Sequence, residues 1–147
     1  MYRRHGANLQ VFLVHPGGPF WAKKDEGAWT IPKGEYAEDE QPLEAAKREF
    51  QEETGFSFRE AEYVELGTVR QASGKVVSAW AFEGACDPQT LVSNICQIEW
   101  PPRSGREIDI PEVDRGDWFD VAEARERIQK SQQPFLDLLS HKIKPVV

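Results

Sequence analysis

Three glutamates, Glu49, Glu52 and Glu53, stand at i, i+3 and i+4 in a stretch whose two ends are marked for a helix. Pro42 suits a first helical turn because it has no N–H to leave unpaired, and Gly55 suits the position just past the end. The segment 41–54 therefore reads as a helix. On it the three carboxylates share one face, and Leu43, Ala46 and Phe50 form an adjoining face able to pack on a sheet. Like charges at this spacing repel, and the helix dipole disfavours anions near the C-terminus. A chain does not need this arrangement to make a helix. A bound Mg²⁺ or Mn²⁺ would reverse the sign of the interaction, since hard cations prefer oxygen ligands. Arg48 is placed to pair with one carboxylate and hold its rotamer. Taken alone, a Glu-x-x-Glu-Glu cluster is more often a solvated acidic face.

The rest of the chain narrows the setting. With 147 residues, one domain over 1–147 is expected, large enough for a real core. A formal net charge of −7 argues against a duplex-nucleic-acid partner, which needs a basic stripe. An acidic site holds an anion only when cations lie between them, so the charge balance fits a metal-dependent enzyme. Taken by itself, such a charge more often does no more than keep a protein soluble. Cys86 and Cys96 form no CxxC, and His5, His15 and His141 are scattered, so a zinc site is not expected. Two free thiols and no stretch of signal-peptide or membrane-spanning length point to a cytoplasmic protein.

Strands are expected at 8–14, around 62–71, 75–83 and 91–100, with Ser73-Gly74 suggesting a hairpin. Residues 101–116, rich in Pro, Gly and charge, read as one long connection of the kind that is often functional. Trp118-Phe119 reads as a short apolar stop. Asp120 with Glu123 marks the start of a helix to about Lys130, and a last helix runs from Pro134 to about Ile143. Strands mixed with helices argue for an α/β arrangement with helices packed on a sheet.

The spacing across Gly34–Phe56 adds a second line. It resembles the signature of the Nudix hydrolase family, Gly-x5-Glu-x7-Arg-Glu-U-x-Glu-Glu-x-Gly-U with U apolar. Gly34, Glu40, Arg48, Glu49, Phe50, Glu52, Glu53, Gly55 and Phe56 fill every specified place. The resemblance implies an α/β/α sandwich with a mixed central sheet between helices. It implies that Glu49, Glu52 and Glu53 ligate Mg²⁺ or Mn²⁺, joined by the backbone carbonyl of Lys33, with Gly34 permitting the turn that aims it. Glu52, Glu53 and Arg48 become catalytic candidates, and Glu40 a tie between loop and helix. The implied reaction is metal-assisted hydrolysis of a phosphoanhydride in a nucleoside diphosphate-linked substrate.

Outside the signature, Trp29-Thr-Ile-Pro-Lys-Gly34 resembles the lead-in of family members acting on nucleoside and dinucleoside polyphosphates. Lys33 is a phosphate-contact candidate, with Lys23, Lys24 and Arg70. Trp29 reads as a brace for the loop. Trp21, Tyr63, Trp80 and Phe82 are the candidates for stacking a nucleobase, though an aromatic of this kind taken alone is more often core or packing. Many relatives carry a further catalytic glutamate beyond the signature. Glu99, Glu107 and Glu112 are available, and Glu112 is favoured, on a loop folding over bound substrate. The expected substrate is a nucleotide-like small molecule, a nucleoside triphosphate or dinucleoside polyphosphate. A nucleotide-sugar or ADP-ribose pyrophosphatase and a catalytically silent nucleotide-binding sensor domain are the alternatives.

Overall fold

The computed structural model describes residues 1–33, 39–71 and 73–143; Gly34 lies outside them. The apolar run Val11-Phe-Leu-Val14 sits in the centre of strand β2 (Asn8–Pro16). Such a run marks a strand whose two faces are both covered by other layers, and its two edges are paired as well. Here β1 (Tyr2–His5) pairs with it antiparallel on one edge, and β7 (Val113–Asp120) antiparallel on the other. Alternation then divides the interior in two. Val11 and Leu13 join Trp29, Phe119, Ala124, Ile128, Phe135, Leu136 and Leu139 on one face. Phe12 and Val14 join Val113 and Trp118 on the other, with Phe56 and Leu91 packed against them.

Two helices cover the first face, α2 (Val121–Arg127) and α3 (Gln133–Lys142). The opposite face receives Phe56, just past helix α1 (Pro42–Thr54), whose ring meets Phe12 edge-on at 6.4 Å. The result is the expected helix–sheet–helix layering. β3 (Val64–Arg70) and β4 (Val76–Ala81) form the expected hairpin. The chain just beyond β4 joins β1 in parallel: Tyr2 N–H donates to the Phe82 carbonyl at 3.0 Å, and Gly84 N–H to the Tyr2 carbonyl at 3.0 Å. That parallel junction among antiparallel ladders makes the sheet mixed.

The stretch 101–116 is not the expected loop. β5 (Ile95–Glu99) and β6 (Glu107–Pro111) form a hairpin around a turn at 100–106, and β7 begins at Val113. In β6, Ile108 and Ile110 alternate with Glu107 and Asp109, a strand period masked by charge and by Pro111. Pro111 is tolerated at the strand's last position, where no further ladder bond is needed. Trp118-Phe119 belongs to the eight-residue strand β7 rather than to a short stop. Strand β1 carries only four residues and three polar side chains, too little periodicity to read. Asp120 does precede α2, but its carboxylate accepts from Gln10 at 3.0 Å and makes no side-chain cap. Among the described residues no helix is long and apolar enough to cross a membrane.

Candidate active site

Helix α1 ends as its sequence dictates. Gly55 adopts φ 79°, the left-handed conformation that glycine enters without strain, and its N–H closes on the Gln51 carbonyl at 2.8 Å. The buried side chains of the helix are Ala45, Glu49, Phe50, Glu53 and Thr54. Leu43 and Ala46, expected to lead the packing face, are only half-buried. Phe50 sets the rotation: its ring packs edge-on against Phe82 at 5.3 Å and Phe58 at 6.0 Å. The i, i+4 row Ala45–Glu49–Glu53 then lies along the protein interior, so two of the three glutamates are buried, 8% and 5% exposed.

A third carboxylate meets them from a different part of the chain. Ligand-capable oxygens of Glu49, Glu53 and Glu112 all lie within 4.8 Å of one another. Glu112 is the single residue between β6 and β7. Its position is fixed by strands, not carried on a mobile lid, which corrects the loop expectation while keeping the residue at the cluster. Its carbonyl accepts from Gly17 N–H at 2.9 Å, and its own N–H donates to the Asn94 carbonyl at 3.0 Å. A Cβ at Gly17 would collide with the Pro111 carbonyl oxygen, so this approach requires glycine.

The electrostatics follow from the crowding. Burial pushes the Glu53 carboxyl up to about 9; the negative charges of Glu112 and Glu49 push the same way, and the Lys33 N–H opposes them at 2.9 Å from Glu53 Oε2. Burial also raises Glu49, opposed first by the Arg48 guanidinium. Three carboxylates packed this closely are a hard-oxygen donor set suited to a divalent cation of the Mg²⁺ or Mn²⁺ type, so the residues present fit such an ion.

Glu52 stands apart from the trio. Arg48 Nη1 donates to both of its carboxylate oxygens at 3.2 Å and to Glu49 Oε1 at 2.9 Å. The other edge of the guanidinium clasps Glu40, Nε to Oε2 at 2.8 Å and Nη2 to Oε1 at 2.9 Å. These bonds, Glu40's foremost, hold Arg48 firmly protonated. Glu40 thus ties the loop preceding α1 to the helix through a two-pronged ion pair.

The raised Glu53 carboxyl gives a signed expectation. Between about 4.5, its ordinary value, and about 9, the folded metal-free protein holds a proton that the unfolded chain has lost. Its stability therefore falls as pH rises through that window. A cation that replaces the proton stabilises most at the high end. Thermal melts without metal should show Tm declining from pH 5 to 9, and added Mg²⁺ should raise Tm more at pH 8.5 than at pH 5.5. An equal Mg²⁺ effect at both values would contradict this.

Lys33, Tyr63 and Trp80 line one cavity of about 580 Å³, together with Lys47, Lys75 and an apolar floor that includes Leu13 and Phe50. The Tyr63 hydroxyl is already engaged with the Phe58 carbonyl at 2.7 Å, and Lys47 sits 4.9 Å over its ring. Phe82 also lines this cavity but is core, packed among Phe50, Phe58 and Tyr63, and is not available as a stacking face. Arg70 donates to the Gly74 carbonyl at 3.2 Å within its own hairpin and does not reach the cavity. Lys24 lies 3.6 Å over the Phe20 ring and 5.3 Å from Trp21, on the loop beyond β2; Lys23 beside it is exposed. Trp29 braces its loop: its indole N–H donates to Asp25 at 2.8 Å and its ring packs on Phe119 at 5.0 Å. Glu99 and Glu107 face each other at the far end of the β5–β6 hairpin, opposite the end that carries Glu112.

Sequence reasoning missed two polar side chains. Gln132, 1% exposed, accepts from Ile31 N–H at 2.9 Å and donates to Thr30 Oγ1 at 2.8 Å. It pins the segment that delivers Lys33 to Glu53. Asn94 links Glu112 to α1. Nothing local marks either one, since each acquires its role from partners more than 15 residues away.

Comparison with known proteins gives a consistent placement. The sequence model described as NUDIX domain matches residues 1–139. A Caenorhabditis elegans Ap4A hydrolase in a binary complex is similar in structure, with TM-score 0.66 and 20% identity, over 96% of this chain and 92% of that one. The NUDIX domain of Shewanella oneidensis NrtR complexed with ADP-ribose gives 0.61 and 20%, over 96% and 82%. A mutT/nudix family protein from Listeria innocua gives 0.60 and 16%, over 96% and 87%. No curated protein sequence matches the chain.

Proposed function

The chain belongs to the Nudix family and is a pyrophosphohydrolase of that family; from that premise we propose that it hydrolyses, with Mg²⁺ or Mn²⁺, a nucleoside triphosphate or dinucleoside polyphosphate. One observation carries the reading. Lys33 belongs at once to the carboxylate cluster, where its N–H meets Glu53, and to the lining of the adjoining cavity. A polyphosphate lying past Lys33 would set its phosphorus beside Glu49, Glu53 and Glu112 and its base in the cavity.

Glu49, Glu53 and Glu112 would hold the cation, and the Lys33 carbonyl is a further proposed ligand. Glu52, held by Arg48 beside the trio, is a further proposed ligand or catalytic carboxylate. When bound, the ion supplies charge neutralisation for the phosphates and a more acidic water. The chain's own residues do the remainder. Glu112 would take the proton of the water whose oxygen attacks phosphorus, as the bridging P–O bond breaks and the leaving phosphate departs. Arg48 holds Glu49 and Glu52 in orientation through Glu40. Lys33, Lys47 and Lys75 bring positive charge to the phosphates, and Trp80 and Tyr63 offer aromatic surface to the base. Residues 1–147 would act as one domain.

The Ap4A hydrolase likeness supports dinucleoside polyphosphates as the first substrates to try. The test is a panel of ATP, GTP, diadenosine tetraphosphate, ADP-ribose and a nucleotide sugar, each assayed with Mg²⁺, with Mn²⁺ and with excess chelator. Metal-dependent turnover highest on a tri- or polyphosphate is the expected result. Preferred turnover of ADP-ribose, or undiminished turnover in chelator, would overturn the proposal.

A further inference from the structure

Glu112 reaches the cluster from a strand junction, so something must hold its side chain against the repulsion of two neighbouring carboxylates. The segment 92–94 supplies the only cross-link to it among the described residues that also touches α1. The last carbonyls of a helix have no partner within the helix. Here Val92 N–H donates to the Thr54 carbonyl at 2.9 Å and Asn94 N–H to the Glu52 carbonyl at 2.8 Å. On its other side the same segment grips the strand junction. Glu112 N–H donates to the Asn94 carbonyl at 3.0 Å, and Val113 N–H to Ser93 Oγ at 3.0 Å.

The Asn94 side chain completes the bridge. One end of its amide faces acceptors, the Glu112 carboxylate and the Glu52 carbonyl, and the other end faces only donors, so the nitrogen lies at the first end and the oxygen at the second. In that orientation the NH₂ group donates to Glu112 Oε2 at 3.3 Å and to the Glu52 carbonyl at 3.2 Å. A primary amide carries two N–H donors on one nitrogen, one for the carboxylate and one for the helix end. It adds no charge to a site already crowded with anions.

We infer that Asn94 is a positioning residue: its amide clamps the Glu112 carboxylate to the C-terminal turn of α1 and so sets the spacing of the Glu49–Glu53–Glu112 donor set. The inference deepens the proposed function and rests on it for its kinetic arm. It also has a direct binding arm that does not depend on catalysis. Replacing the side chain leaves every backbone bond of residue 94 in place, so its effect is separable from the fold.

The experiment compares wild type, Asn94→Ala, Asn94→Asp, Glu112→Gln and the double variant Asn94→Ala/Glu112→Gln. Three quantities are read: Mn²⁺ affinity by paramagnetic resonance of the free ion, Tm without metal, and kcat and KM on the best nucleotide of the panel. Partners that orient metal ligands are worth about 10- to 100-fold in affinity or activity. Asn94→Ala should therefore weaken Mn²⁺ binding and lower kcat by about tenfold, with KM and the metal-free Tm close to wild type. Asn94→Asp, nearly isosteric but without the donors, should lose at least as much kcat. In the Glu112→Gln background Asn94→Ala should change kcat by less than about twofold, because residues acting as a unit are not additive. An equal loss in both backgrounds, or unchanged Mn²⁺ affinity in Asn94→Ala, would overturn the inference. A wild type that binds Mn²⁺ but turns over no nucleotide would overturn the proposed function, while the Mn²⁺ affinities would still decide the role of Asn94.

Discussion

Glu53→Gln is expected to lower kcat by at least about 10²-fold while the protein stays folded. Glu53 is the most buried glutamate of α1, 5% exposed, and burial, with the charges of Glu112 and Glu49, already pushes its carboxyl towards protonation. Gln keeps the shape and keeps an oxygen to accept the Lys33 N–H. What it loses is the capacity for negative charge and, on the proposed function, one metal-ligating oxygen. Below about 9 the metal-free wild-type group holds its proton, so the neutral amide should melt no lower than wild type, and higher at pH 8.5 where the wild-type group is nearest to ionisation. Measured together, kcat, metal-free Tm at two pH values and Mg²⁺-induced stabilisation separate a ligand from a residue that merely packs. Near-native kcat would refute the assignment. Glu52→Gln provides the contrast: its carboxylate lies outside the trio and is more exposed, and its loss should cost less than that of Glu53.

The second large effect is at Glu112. Glu112→Gln should lower kcat by about 10²-fold and change KM little, because a base or late ligand acts mainly in the transition state. The backbone bonds to Asn94 and Gly17 survive the change, and the amide oxygen of Gln can still accept from Asn94. Glu99→Gln and Glu107→Gln are built-in controls. Both sit at the distal end of the β5–β6 hairpin, where Glu99 accepts from Arg103 N–H at 2.7 Å, and each should alter rate and stability by no more than about 0.5 kcal/mol. If Glu112→Gln keeps native kcat while either control collapses, the wrong glutamate has been assigned.

The glutamate row of α1, the glycine that ends the helix and the apolar strand β2 are local facts. Each depends on residues a few positions apart, so periodicity, proline and glycine determine them within the sequence. The same holds for the family signature, whose spacing is itself a local pattern. The sequence also offered three later glutamates, without the means to choose physically among them. That choice is made by the pairing of β5 with β6, which puts Glu99 and Glu107 at one end of a hairpin and Glu112 at the other. The hairpin was illegible because Pro111, the Pro101-Pro102 turn and alternating charges mask a strand whose stability comes from its partner rather than from its own composition. Asn94 and Gln132 are still further from local reading, since their amides matter only through acceptors and donors that folding brings to them. Even the rotation of α1 was set outside the helix: Phe50 packing on Phe58 and Phe82 turned Glu49 and Glu53 inward and left Glu52 to Arg48. The sequence by itself determined which groups could do the chemistry. Only the tertiary structure decided which of them meet, because a strand register and a helix rotation are fixed by contacts between segments far apart in the chain.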